Sequence, residues 1–130
     1  MSEVIHIAVG IHDASGMYCR HAAALLASVF MNTNENVHIH FLHDNTLTEE
    51  NHQRFVDLAM SFHQTISFYG IQDVFQLAES ETLSLNTVGT LFRLLLPGLV
   101  DVNKMIYFDC DVICNLDVKE MWQIDIEDYA

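Results

Sequence analysis

The chain has 130 residues, 51% apolar and 18% charged, with a net charge of −13. That composition suits a single folded domain and argues against a disordered tract. Only five cations are present, Arg20, Arg54, Arg93, Lys104 and Lys119, and they are scattered. Nucleic-acid binding by phosphate neutralisation is therefore not expected, and no apolar run is long enough to span a bilayer.

Val4 to Gly10 (VIHIAVG) is β-branched and apolar and reads as a buried strand. A polar loop follows, and Tyr18, Ala22, Leu25, Leu26 and Val29 then recur at helical spacing, so Met17 to Met31 reads as a helix. On that spacing Tyr18 is assigned to the core. Val37 to Leu42 is a second strand. His38 and His40 alternate there with Val37, Ile39 and Phe41, and are read as its second face rather than as a metal cluster.

Thr46-Leu47-Thr48-Glu49 fits a capping box opening a helix, with Phe55, Leu58, Ala59 and Phe62 on its apolar face. Thr65 to Tyr69 is a third strand. Asn86 to Leu96 is expected to be helical and to stop at Pro97-Gly98. Lys104 to Phe108 is a fourth strand, and Asp117 is expected to cap a turn over Val118 to Trp122. Trp122 is assigned to packing. The β-α-β-α-β order predicts an α/β fold, mostly parallel, with helices on both faces of the sheet and one domain over residues 1–130.

Ligands of open α/β sheets bind beyond the carboxyl ends of the strands. Two such ends carry polar chemistry: the loop after the first strand, and Asp109-Cys110-Asp111 after Phe108. If the fourth strand stays extended, residues i and i+2 share a side, and the Asp109 and Asp111 Cα atoms lie about 6.5 Å apart. Two close carboxylates repel, and a divalent cation between them removes the conflict. Oxygen donors alone favour Mg²⁺ or Mn²⁺ over Zn²⁺. Cys19, Cys110 and Cys114 form an odd set without C-x-x-C, and Met1-Ser2-Glu3 begins no basic, then apolar, leader. Reduced thiols and a cytosolic place are expected.

Four segments, IHIAVG with YCRHAAALLASV, VHIHFLHDNTLTEENHQRF, NTVGTLFRLLLPGLV and KMIYFDCDVICNLDVKEMW, resemble the N-terminal half of glycosyltransferase family 8. The resemblance implies a Rossmann-like GT-A fold and a retaining hexosyltransferase using a UDP-sugar donor and a carbohydrate or glycolipid acceptor. It implies that Asp109 and Asp111 hold Mn²⁺ or Mg²⁺ on the diphosphate and that the Cys110 backbone lies near the ribose. Val9, Gly10, His12 and Asp13 would receive the uracil, with His12 and Asp13 as alternatives for the direct contact. Arg93 would pair with the donor phosphates or the aspartates. The third metal ligand, a histidine, and the catalytic groups would come from beyond residue 130. Lipopolysaccharide synthesis, a peripheral place at the inner membrane face and a homo-oligomer stay open.

Three other readings compete. A haloacid-dehalogenase-type phosphatase also ends a strand in D-x-D, but only 19 residues follow Asp111 here. A receiver-like domain needs an aspartate after the third strand, which instead ends Phe68-Tyr69-Gly70. A non-catalytic nucleotide-sugar binder has the same donor elements as the enzyme.

Overall fold

The computed structural model describes residues 3–71 and 96–127. In chain order these form β1 (Ile5–Ile11), α1 (Tyr18–Met31), β2 (Val37–His43), α2 (Glu49–Ser61), β3 (Thr65–Gly70), β4 (Ile106–Tyr107) and α3 (Val118–Trp122). The four strands make one sheet in the order β3-β2-β1-β4, every pair parallel.

Alternation sets the two faces of the sheet. Ile5, Ile7, Val9 and Ile11 point into the main core, each at most 1% exposed. They meet Ala22, Leu25, Leu26 and Val29 of α1, Phe55 and Ala59 of α2, and Val118 and Trp122 of α3. Ala8 and Leu42 open onto the opposite face, where Ile71, Tyr69, Leu96, Met105 and Tyr107 pack around them. Residues 96–99 are helical, and the Val100 N–H donates to Leu96 O at 3.0 Å. Pro97 and Gly98 thus lie among helical residues, which run on to Leu99, rather than ending them. The remainder of the expected Asn86–Leu96 helix lies outside the described residues.

The caps correct one detail of the sequence reading. Thr48, not Thr46, caps α2, accepting the Asn51 N–H at 3.1 Å. Thr46 is drawn away to the end of β2, as described below. At the far end of α2, His63 adopts φ 57°. Its N–H donates to Met60 O at 3.0 Å, and the Gln64 N–H donates to Ala59 O at 2.9 Å, the bond pattern of a Schellman cap. Gln64 then reaches β2, accepting the Val37 N–H at 2.8 Å and donating to Glu35 O at 3.0 Å. Asp117 caps α3 by accepting the Lys119 N–H at 3.0 Å, as its sequence position predicts.

Candidate functional site

The strand order reverses between β1 and β4. From β1 the chain crosses to β2 and β3 on one side, and β4 joins β1 on the other. In parallel sheets such a reversal splays the two following loops apart and leaves a crevice at the carboxyl ends. Both segments singled out by sequence border this crevice. Ile7 and Ala8 pair with Ile106 and Tyr107, and the Phe108 N–H donates to Ala8 O at 3.0 Å. Asp109 therefore leaves the sheet beside the end of β1.

Asp109 and Asp111 are both exposed, and Cys110 between them is half-buried against the main core. The expected extended conformation is not what the chain adopts. Among the described residues β4 pairs only through Ile106 and Tyr107, and residues 110 and 111 form a turn. The two carboxylates thus share the solvent side of a turn anchored by its middle residue, rather than one face of a strand. The Cys110 thiol is pushed up to about 11 by burial, with the Asp111, Asp109 and Asp13 carboxylates adding to the effect. Three acids from two loops thus act on one half-buried sulfur.

The segment after the turn is pinned to the end of α1. The Ser28 hydroxyl accepts the Cys114 N–H at 2.8 Å, and the Asn32 side chain donates to Cys114 O at 3.0 Å. Asn32, the C-cap of α1, also donates to Ser28 O at 2.8 Å.

On the β1 side, Val9 is fully buried in the core and Gly10 is buried beside Leu42 on the neighbouring strand. The Val9 side chain therefore faces away from the crevice. Asp13 is 3% exposed, and its carboxylate accepts the N–H groups of Tyr18 and Cys19, each at 3.1 Å. These belong to the first turn of α1, so Asp13 satisfies donors that the helix itself leaves open. Burial alone would raise its pKa, but the bonds from Cys19, Tyr18 and Gly16 overcome this and hold it below the usual carboxylate value. Met17 and Tyr18 are 53% and 45% exposed, so Tyr18 is not a core residue. It sits at the first turn, before the helix has settled onto the sheet.

His12 donates from Nδ1 to Asp44, a residue just past β2 and 3% exposed. Asp44 also accepts the Thr46 N–H at 2.9 Å and the Thr46 hydroxyl at 2.6 Å. The same hydroxyl accepts the Asp13 N–H at 2.7 Å. The loops after β1 and β2 are thereby laced together through Asp13, Thr46, Asp44 and His12. Burial would raise the Asp44 pKa, but the Thr46 hydroxyl, His12 and the Thr46 N–H hold it below its ordinary value. The sequence reading missed Asp44 and took Thr46 for a helix cap. The available signal was positional: both follow the carboxyl end of a strand, the rule that selected His12 and Asp109. Arg93 lies outside the described residues.

The sequence profile of glycosyl transferase family 8 matches residues 11–130. The chain belongs to glycosyltransferase family 8. It is 24% identical over 132 residues to general stress protein A of Bacillus subtilis, covering 98% of this chain and 45% of that protein. It is 25% identical over 120 residues to a putative glycosyltransferase of Haemophilus influenzae, covering 92% of this chain and 36% of the relative. The chain thus spans less than half the length of these relatives. Among solved structures, an active-site mutant of LgtC superposes with TM-score 0.77 at 21% identity, over 95% of this chain and 44% of that one. The apo WbbM bifunctional glycosyltransferase superposes with TM-score 0.72 at 22% identity, over 97% and 22%. The fold is that of the GT-A glycosyltransferases. No helix among the described residues is long and apolar enough to cross a membrane.

Proposed function

We propose that this chain is the donor-binding part of a retaining hexosyltransferase, and that it holds a UDP-sugar at the β1–β4 crevice through a divalent cation on Asp109 and Asp111. The observation that carries the reading is the placement of Asp109-Cys110-Asp111 at the strand-order reversal of a family 8 chain. The donor set fits the cation. Two exposed carboxylates offer oxygen only, which suits Mn²⁺ or Mg²⁺. When bound, such an ion would stabilise the negative charge that develops on the departing diphosphate.

The remaining roles belong to the chain itself. Cys110 anchors the turn that presents both carboxylates. His12 is the side chain proposed to meet the base, held by Asp44. Asp13 is proposed as a positioning residue, because its carboxylate is taken up by the first turn of α1. Gly10 and Val9 contribute backbone and close packing. Tyr18, exposed at the same edge, is added as a wall of the base pocket. Arg93 remains a proposed partner of the donor phosphates. A net charge of −13 repels a dianionic ligand, and the cation, Arg93 and the strand-one backbone would offset that locally.

The test is calorimetric titration of UDP with and without Mn²⁺, on the wild type and on Asp109→Ala/Asp111→Ala. Binding that needs both the metal and the aspartates supports the reading. Binding that is unchanged in the variant refutes it. UDP-sugar turnover with a carbohydrate acceptor then separates an enzyme from a non-catalytic binder.

A further inference from the structure

Three imidazoles meet on the face of the sheet opposite α1, away from the carboxyl ends. The parallel register places His6 of β1 beside His38 of β2, and Ala8 beside His40. His38 and His40 are two residues apart on one strand, so both point to the side that His6 shares. One ring nitrogen from each of the three lies within 4.8 Å of the others. His6 Nδ1 and His40 Nε2 are 2.9 Å apart and share a hydrogen bond. The His38 and His40 rings stack at 4.1 Å between centroids.

We propose that His6, His38 and His40 form a binding site for a nitrogen-preferring divalent cation, Zn²⁺ or its Co²⁺ and Ni²⁺ relatives, separate from the carboxylate site. An all-imidazole donor set selects these ions over Mg²⁺ and Mn²⁺. Three histidines with one open position form a known zinc arrangement. In a tetrahedral site with Zn–N of ~2.0–2.1 Å, ligand nitrogens stand about 3.3 Å apart. The His6–His40 pair needs to open by only a few tenths of an ångström, and the ion would replace their shared hydrogen bond.

The surroundings meet the other requirements of such a site. Ligand histidines are usually held through their second nitrogen. His40 Nδ1 is bonded to the Tyr69 hydroxyl at 3.0 Å, and His38 Nε2 to the Ser67 hydroxyl at 2.7 Å. Imidazoles must be neutral to bind a metal. Burial lowers the pKa of all three, that of His40 to about 4, with the neighbouring imidazoles assisting for His38 and His40. An entry path also exists. His6 lines an open cleft of about 250 Å³ with Glu3, Asn103, Lys104 and Trp122. The Lys104 ammonium in this cleft is turned onto Trp122 O and Ile124 O, while Glu3 adds negative charge near His6. His6 is the second residue of β1, and His40 pairs at the level of Ala8 and Tyr107, two residues before Asp109, so the histidine site lies on the second face of the sheet, short of its carboxyl ends.

The experiment uses the 130-residue protein freed of metal by a chelator. Co²⁺ is added as a spectroscopic probe, followed by displacement with Zn²⁺. The expected result is one equivalent of Co²⁺ with the visible bands of a low-coordinate nitrogen site, lost on Zn²⁺ addition. Asp109→Ala/Asp111→Ala should retain the bands. His6→Gln/His38→Gln should lose them, and Tyr69→Phe should weaken affinity by about tenfold. Imidazole ¹⁵N shifts of the wild type, which depend on no variant, should move for these three rings on Zn²⁺ addition. Bands that survive in His6→Gln/His38→Gln, or imidazole shifts that do not move under saturating Zn²⁺, overturn the proposal.

Discussion

The carboxyl end of the sheet and the amino-terminal half of its second face use polar side chains in opposite ways. At the carboxyl end, Asp13 and Asp44 are buried, each accepting several bonds, and the charged form is held by donors. At the other end, His6, His38 and His40 are pressed together with few donors to spare, and the neutral form is held by burial. The sheet is the same, yet one end stabilises charge and the other suppresses it. The difference lies in the backbone. Loops at the carboxyl ends and the first turn of α1 offer unpaired N–H groups, whereas the middle of a sheet has spent its N–H groups on neighbouring strands.

The contrast can be broken most strongly by pH. A histidine whose folded pKa is depressed contributes stability that is fully present above its unfolded value and lost as pH falls through the folded one. For His40 the window runs from 6.5 down to about 4. Urea melts between pH 7.5 and 4.5 should show a loss of about 3 kcal/mol. The loss should shrink in His38→Gln/His40→Gln.

Removing charge at the other end comes next. Asp44→Ala strips three bonds from a carboxylate that is 3% exposed and leaves Thr46 and His12 without their acceptor. Denaturant melts at pH 7 should show a loss of about 2–3 kcal/mol. Because the Asp44 pKa is depressed, the wild type should lose this contribution only as pH falls below 3.8. The acid windows of the two ends are therefore distinct.

A smaller loss is expected for Asp13→Ala, about 1–2 kcal/mol, the cost of uncapping a helix. It should appear as a lowered Tm and faster amide exchange in the first turn of α1. The smallest stability effect belongs to Asp109→Ala/Asp111→Ala. Both residues are exposed, and thermal melts should move by less than about 0.5 kcal/mol. The same variant should abolish Mn²⁺-dependent UDP binding. A large drop in Tm would instead give the pair a structural role.

Much of the frame was legible in advance. β1, α1, β2 and β3 match their expected ranges within one residue at each end, because their apolar periods are long and unbroken. The misses are instructive. Thr46 looked like a cap, but the Asp44 carboxylate two residues earlier is a stronger partner and draws its hydroxyl. Tyr18 fitted the helical stripe, but the stripe begins before the helix reaches the sheet. Lys104 to Phe108 had strand composition, yet among the described residues only Ile106 and Tyr107 pair, both with β1.

The sequence by itself determined which elements form and which donor atoms are present: two aspartates after an apolar run, histidines on alternate positions of a strand. Residue order is enough for that, since strand and helix periods are local properties of the backbone. Tertiary structure alone decided who meets whom. The pairing of β1 with β4 brings the Asp13 loop to Cys110, and the pairing of β1 with β2 sets His6 beside His38 and His40. Those adjacencies depend on how the crossovers pack over the sheet, a sum of contacts between residues tens of positions apart that no local pattern encodes.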